Sequence, residues 1–292
     1  MTGWSVSDIP DQQGRTFIVT GANSGLGAVA ARALAGAGAR VVLACRNVDK
    51  GKAVADRIGS LAEVRRLDLA DLSSVREFAD SVDRVDVLVN NAGVMAVPYA
   101  RTADGFEMQI GTNHLGHFAL TGLLLGRISD RVVTVSSDMH NLGVIDLDDL
   151  NWQRRKYRRW QAYGQAKLAN LLFAYELQRR LTAAGWSKLS VAAHPGYAAT
   201  ELQSHTESIQ DVVMSLGNRL FAQSAEMGAL PELCAATADV EPGGYYGPKG
   251  FRGMRGHPGR VGSSKRSKDQ ETARGLWELS EKLTGVRYDF SV

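Results

Sequence analysis

Short apolar runs and amphipathic stretches alternate along this chain, joined by brief polar connections. Thr16 to Thr20 reads as a buried strand, and similar runs recur at Arg40–Ala44, Glu63–Leu67, Val85–Val89, Arg131–Val135 and Leu189–Ala193. Helical stretches lie between them: Ala28 to Ala37, stopped by Gly38, then Lys50 to Ile58. Ser74 with Glu77 forms a capping box that opens a helix through Val82. A further helix spans Gly105 to Leu125 and tolerates Gly111 and Gly116. The helix from Tyr163 to Ala184 carries Leu168, Leu171, Leu172 and Tyr175 at the spacing of one buried face. Ser267 with Gln270 caps a last helix that carries Leu276, Trp277 and Leu283 and ends at Gly285. Strands alternating with helices predict a parallel sheet covered on both faces. The fold expected is α/β, a doubly wound Rossmann sheet, with residues 1–292 forming a single domain.

Two local patterns carry chemistry. Gly21-Ala-Asn-Ser-Gly-Leu-Gly27 directly follows the first strand and precedes the first helix. In that context glycines let the backbone approach a pyrophosphate at a helix N-terminus. Tyr163 and Lys167 stand four apart at the head of a helical run, so both project from one face. A phenol exchanges protons poorly at neutral pH, with an ordinary pKa of about 10, and a nearby ammonium pulls that value down. Tyr245 and Lys249 share the spacing, but Gly247 and Pro248 between them forbid a helix. Only the first pair can act as a unit.

Taken together, Thr20-Gly-Ala-Asn-Ser-Gly-Leu-Gly27, Asp68-Leu69, Asn90-Asn-Ala-Gly93, Asn113, Ser136-Ser137, Tyr163-x-x-x-Lys167 and Pro195-Gly196 resemble the short-chain dehydrogenase/reductase family, in the family order and over roughly residues 14 to 250. Ala44-Cys-Arg-Asn47, Asn113-His-Leu-Gly-His117 and Lys167-Leu-Ala-Asn170 are closest to its branch of retinol dehydrogenases, WW-domain-containing oxidoreductase and light-dependent protochlorophyllide reductase. The resemblance implies a nicotinamide cofactor held by Gly21, Asn23, Ser24, Gly25, Leu26 and Gly27 beneath the pyrophosphate. It places Asp68 and Leu69 at the adenine, Asn90, Ala92 and Gly93 on the adenosine side, and Pro195, Gly196 and Thr200 at the nicotinamide end. Tyr163 would exchange the proton, and Lys167 would lower its pKa and reach the ribose. Ser137, rather than its neighbour Ser136, would bond the substrate carbonyl, and Asn113 would hold a water linking Lys167 to solvent. Members preferring NAD carry an acid where this chain has Cys45, and Arg46 follows; a guanidinium suits a 2′-phosphate, so NADP is the cofactor expected. Protochlorophyllide reduction is disfavoured, because those enzymes carry a cysteine where this chain has Ala169.

Composition narrows the setting. The 292 residues are 44% hydrophobic and 22% charged with a net charge of +3, which neither starves the core nor marks a nucleic-acid binder. Cys45 and Cys234 lie far apart, favouring a reduced compartment, and no histidine grouping has metal-ligand spacing, so no metal site is expected. Met1 to Arg15 is polar and lacks a membrane span or signal peptide, which points to a soluble cytoplasmic protein. Residues 138–160 form an insertion whose Arg154, Arg155, Lys156, Arg158 and Arg159 read as a solvated face. Residues 197–230 form a substrate loop, and 243–262 an ordered glycine-rich loop. Pocket candidates are Met95, Val97, Tyr99, Met139, Trp160, Tyr197, Met214, Leu216, Leu220 and Phe221, whose apolar character suits a lipophilic ketone, aldehyde or alcohol. A homodimer through the Gly105–Leu125 and Tyr163–Ala184 helices is possible unless the insertion blocks that face. The rival reading is a catalytically idle NADP(H)-binding sensor or scaffold.

Overall fold

The structure, a computed structural model, describes residues 3–196, 224–250 and 253–291. Strands β1 (Thr16–Thr20), β2 (Arg40–Cys45), β3 (Ala62–Arg66), β4 (Val85–Asn90), β5 (Ile128–Val135), β6 (Leu189–Ala193), β7 (Tyr245–Pro248) and β8 (Pro258–Arg260) form one sheet in the order β3-β2-β1-β4-β5-β6-β7-β8. All neighbours pair in parallel except β7 with β8. Side chains alternate across each strand, so Phe17 and Val19 join one core and Ile18 the other. The first core is closed by α1 (Gly25–Gly36), α2 (Val48–Ile58) and, later in the chain, Ala225–Thr237. The second lies under α3 (Leu72–Asp80) and the longer helices that follow β4 and the insertion. Helices on both faces of a parallel sheet are the doubly wound arrangement, and the chain order reverses between β1 and β4. Ligands of such sheets bind there, beyond the strands' carboxyl ends.

Several element boundaries differ from the sequence expectation for local reasons. Helix α3 is capped by Asp71, which accepts from the Ser73 amide at 2.9 Å, and Ser74 lies inside it. The Ser74 hydroxyl instead accepts from the Asp68 amide at 3.0 Å, pinning the end of β3. The helix foreseen over Gly105–Leu125 starts later, because Gly105 has φ +85° and Glu107 caps the following turn, α4 (Met108–Ile110). A π-helical turn over Gly111–Leu115 then leads into α5 (Gly116–Leu124). Helix α6 (Arg159–Ala183) begins one turn before Tyr163. The glycine-rich stretch is not simply a loop, since it supplies the β7–β8 hairpin with Gly247 opposite Gly259. Helix α7 is the Ala225–Thr237 segment, and α8 (Gln270–Thr284) is capped by Asp269 rather than Ser267, which is buried in a preceding turn.

The insertion is tied down rather than solvated throughout. Arg155 lies 3.8 Å over the Trp152 ring and pairs with Asp149 at 3.4 Å, while Arg154, Lys156 and Arg158 are exposed. Tyr157 meets the buried Glu107 carboxylate at 2.9 Å and accepts from Gln109 at 2.8 Å, clamping the insertion onto the α4 turn. Among the described residues, no helix is long and apolar enough to cross a membrane.

Candidate active site

The glycine turn has the shape that a bound pyrophosphate requires. Gly21 adopts φ +69°, and a Cβ at Gly27 would meet Asn91 Nδ2 at 2.6 Å and the Gly21 carbonyl at 2.7 Å. Ser24 caps α1 without a side-chain hydrogen bond, and no acidic residue lies in the first turn. The leading amides of α1 are therefore left for an anion at the positive end of the helix dipole. Asn23 and Leu26 sit half-buried in the same turn.

A buried network fastens this turn to the next loop. Thr20 Oγ accepts from the Asn91 and Ala92 amides at 3.0 and 2.9 Å, and Asn91 Nδ2 donates to the Thr20 carbonyl at 2.7 Å. With two donors already on its oxygen, the Thr20 hydroxyl donates to His117 Nε2 at 2.9 Å. That assigns the His117 proton to Nδ1, which donates to the Asn113 carbonyl at 3.0 Å. Burial lowers the His117 pKa to about 4, so the ring is uncharged. One imidazole thus joins the glycine turn, the Asn91–Gly93 loop and the π turn. The sequence signal was present in Asn113-His-Leu-Gly-His117, but no role followed from it alone.

Two asparagines do not face a ligand with their side chains. Asn90 Nδ2 donates to Thr121 at 2.9 Å on the α5 side of the sheet. Asn113, completely buried rather than on an exposed face, accepts from the Val94 amide at 2.7 Å and donates to the Val94 carbonyl at 2.9 Å. Its side chain therefore fixes the loop after β4 and is not available to hold a water. A Cβ at Gly93 would lie 3.0 Å from Asn113 Oδ1 and 3.8 Å from Lys167 Nζ, so the missing side chain keeps that space open. Leu69 belongs to the core, leaving only its backbone for an adenine. Asp68 Oδ1 accepts from the Ala70 amide at 3.0 Å. Cys45 is buried, and Arg46 beside it is exposed at the end of β2. No carboxylate stands at either position.

Helix α6 brings Tyr163 and Lys167 to the sheet end. Ser136 is committed, donating to the Lys167 carbonyl at 2.8 Å, which leaves Ser137 as the serine that meets the phenol. Burial raises the Tyr163 pKa to about 12, and the Ser137 hydrogen bond pulls the other way. Lys167 Nζ donates to the Val135 carbonyl at 3.1 Å and lies 5.7 Å from the Tyr163 ring centroid. Burial lowers its pKa to about 8, opposed by Glu232. The phenol is thus raised here rather than lowered: dehydration penalises the phenolate, and the ammonium sits on a carbonyl instead of the hydroxyl. Glu232 on α7 was not foreseen. Its carboxyl oxygens have no hydrogen-bond partner among the described residues, and burial holds its pKa well above the usual carboxylate range.

Around this centre, Trp160 stands edge-on to Tyr163 with centroids 6.4 Å apart, and Tyr99 packs on Tyr157 at 5.2 Å. Gly196, after Pro195, has φ +65°. Tyr197, Thr200, Met214, Leu216, Leu220 and Phe221 lie outside the described residues.

Comparison with known proteins agrees with this geometry. The short chain dehydrogenase family matches residues 15–211. Retinol dehydrogenase 13 of Homo sapiens is 42% identical, over 94% of this chain and 85% of that protein. An uncharacterised protein from Mycobacterium Paratuberculosis superposes with a TM-score of 0.87 at 54% identity, covering 99% of this chain and 100% of that one. A protein described as an NAD(P)-dependent gluconate 5-dehydrogenase from Beutenbergia cavernae, with bound NADP, gives a TM-score of 0.58 at 27% identity over 78% of this chain and 92% of that one. The chain belongs to the short-chain dehydrogenase/reductase family, in its retinol dehydrogenase-like branch, and is an oxidoreductase that binds a nicotinamide cofactor.

Proposed function

We propose that the protein is an NADP(H)-dependent oxidoreductase that moves hydride between the nicotinamide and a lipophilic ketone, aldehyde or alcohol. The observation that carries this reading is the meeting of Tyr163 with Ser137 at the sheet end, with Lys167 one helical turn away. When bound, the cofactor supplies the hydride. Tyr163, protonated in its buried setting, donates to the carbonyl oxygen, and Ser137 bonds that oxygen as negative charge develops on it. Lys167 supports the phenolate and holds the ribose, and Asn113 keeps the 93–94 loop in place against it. Arg46, with Cys45 in place of an acid, favours the 2′-phosphate. Retaining Ser137, Tyr163 and Lys167 together counts against an idle sensor, which needs none of them.

The test is a screen of lipophilic carbonyls that follows NADPH oxidation, with Tyr163→Phe alongside. The phenylalanine keeps the ring, so folding and NADPH binding survive while turnover falls by about two to four orders of magnitude. Near-full activity in that variant would show that another group moves the proton.

A further inference from the structure

Asp138 directly follows Ser137, and hydride transfer as proposed does not use it. Its side chain is 50% exposed, yet burial raises the carboxyl pKa to about 6. The group therefore faces a recess rather than open solvent. The nearest basic atom is His194 Nδ1, 3.5 Å from Oδ1. That nitrogen already accepts from the Gly196 amide at 3.3 Å, and burial lowers the His194 pKa to about 4. His194 thus offers Asp138 neither charge nor proton at neutral pH.

The other neighbours are equally committed. His140 donates Nδ1–H to the Ser137 carbonyl at 2.7 Å and accepts from the Ser264 amide at Nε2. Tyr245 packs between the two imidazoles, its ring centroid 5.0 Å from His194 and 6.0 Å from His140. Gly253 brings no side chain; a Cβ there would still be 3.9 Å from Asp138 Oδ2. Among the described residues, Asp138 presents acceptor oxygens with no donor.

Adjacent Cα atoms are about 3.8 Å apart. A substrate whose oxygen meets Ser137 and Tyr163 therefore brings the atoms beside its carbonyl carbon within reach of Asp138. We propose that Asp138 is a specificity-determining residue that accepts a hydrogen bond from a hydroxyl on the carbon next to the reacting carbonyl, making lipophilic α-hydroxyketones, and vicinal diols in the oxidative direction, the substrate class. The proposal rests on the oxidoreductase reading above. Its leverage comes from asymmetry: a substrate without the hydroxyl desolvates the carboxylate and leaves it unpaired, which costs more than a made hydrogen bond gains.

The experiment compares 2-hydroxyacetophenone with acetophenone, both with NADPH. The unmodified enzyme should favour the hydroxyketone in kcat/KM by about tenfold or more, equivalent to about 1.4 kcal/mol. Asp138→Ala should bring the ratio close to unity, and Asp138→Asn, which keeps one acceptor, should fall between. No preference in the unmodified enzyme, or a preference that survives Asp138→Ala, overturns the assignment while leaving the oxidoreductase reading intact. If neither ketone oxidises NADPH, that reading fails for such carbonyls, and calorimetric binding to the protein–NADP⁺ complex decides on Asp138 without turnover. Tighter binding of the hydroxyketone, lost in Asp138→Ala, supports the contact; equal affinities refute it.

Discussion

Burial acts on both ends of the catalytic pair in the same sense, favouring the uncharged form of each. Tyr163 is raised to about 12 and Lys167 lowered to about 8, so Lys167 is the group that titrates near neutrality. Its ammonium is present below pH 8 and is lost as pH rises through that value. A neutral amine attracts an anionic cofactor less, so the NADPH dissociation constant should increase above pH 8. Lys167→Arg, which stays charged, should flatten the curve even if turnover suffers; fluorescence titration across pH 6–10 reads both. A pH-independent affinity in the unmodified protein would remove Lys167 from the cofactor site. Arg46 makes a separate claim: NADPH should bind about tenfold more tightly than NADH, or about 1.4 kcal/mol. Arg46→Ala should erase most of that gap and leave NADH affinity nearly unchanged, and equal affinities beforehand would sink the NADP assignment. The glycine turn and the Tyr163/Lys167 pair were legible because chain spacing alone sets their geometry. The tasks of Asn90 and Asn113 were not, since Thr121 and Val94 become their partners only once the π turn has formed.

Helices and strands were legible where hydrophobic period decided them, and less so where a single polar residue did. Leu189–Ala193 was read to the residue, whereas two caps were misplaced by two or three positions. Asp71 and Asp269 compete with the nearby Ser74 and Ser267 for the same job, and the serines are buried on other partners. The break in the Gly105–Leu125 stretch has a packing reason. A Cβ at Gly116 would lie 2.4 Å from the Leu69 carbonyl oxygen, a backbone atom that cannot swing aside. Helix α5 therefore passes directly against the loop that carries Asp68. Gly116→Ala should cost about 1–3 kcal/mol of stability by overpacking. It should also weaken NADPH binding, because the strain falls on the residue after Asp68. Gly126→Ala is the control, having nothing within 4 Å of its Cβ. Matching melting temperatures for the two variants would show that the close crossing is not tight.

At the scale of the molecule, the face proposed for pairing two copies is covered from within. Helix α8 and the residues after it lie over α5 and α6, with Trp277 stacked at 5.8 Å on Phe173 and set edge-on to Phe118 at 5.2 Å. Tyr288 closes the group, 4.4 Å from Trp277, and its hydroxyl donates to the Phe118 carbonyl at 2.6 Å. Higher up, Ala273 and Leu276 fill the groove beside Ile110, Leu168 and Leu172. The insertion, which the sequence offered as the blocking element, is thus secondary to α8 on this face. The sequence showed a capped amphipathic last helix but not its destination, because an apolar stripe does not say which groove receives it. The apolar side chains that a partner copy would bury are already buried by α8. Helix pairing through α5 and α6 should therefore be absent, and light scattering over a wide concentration range should show no dimer that depends on that face. Trp277→Ala opens the cover: it should cost about 3–5 kcal/mol, the scale of a deleted core aromatic. The Phe118 and Phe173 rings then become available, so self-association should rise with concentration in the variant and not in the parent. A parent dimer whose strength is unchanged by Trp277→Ala would place the interface elsewhere on the molecule. A parent dimer abolished by cysteine cross-links between α8 and α6 would show instead that α8 moves aside to let two copies pair.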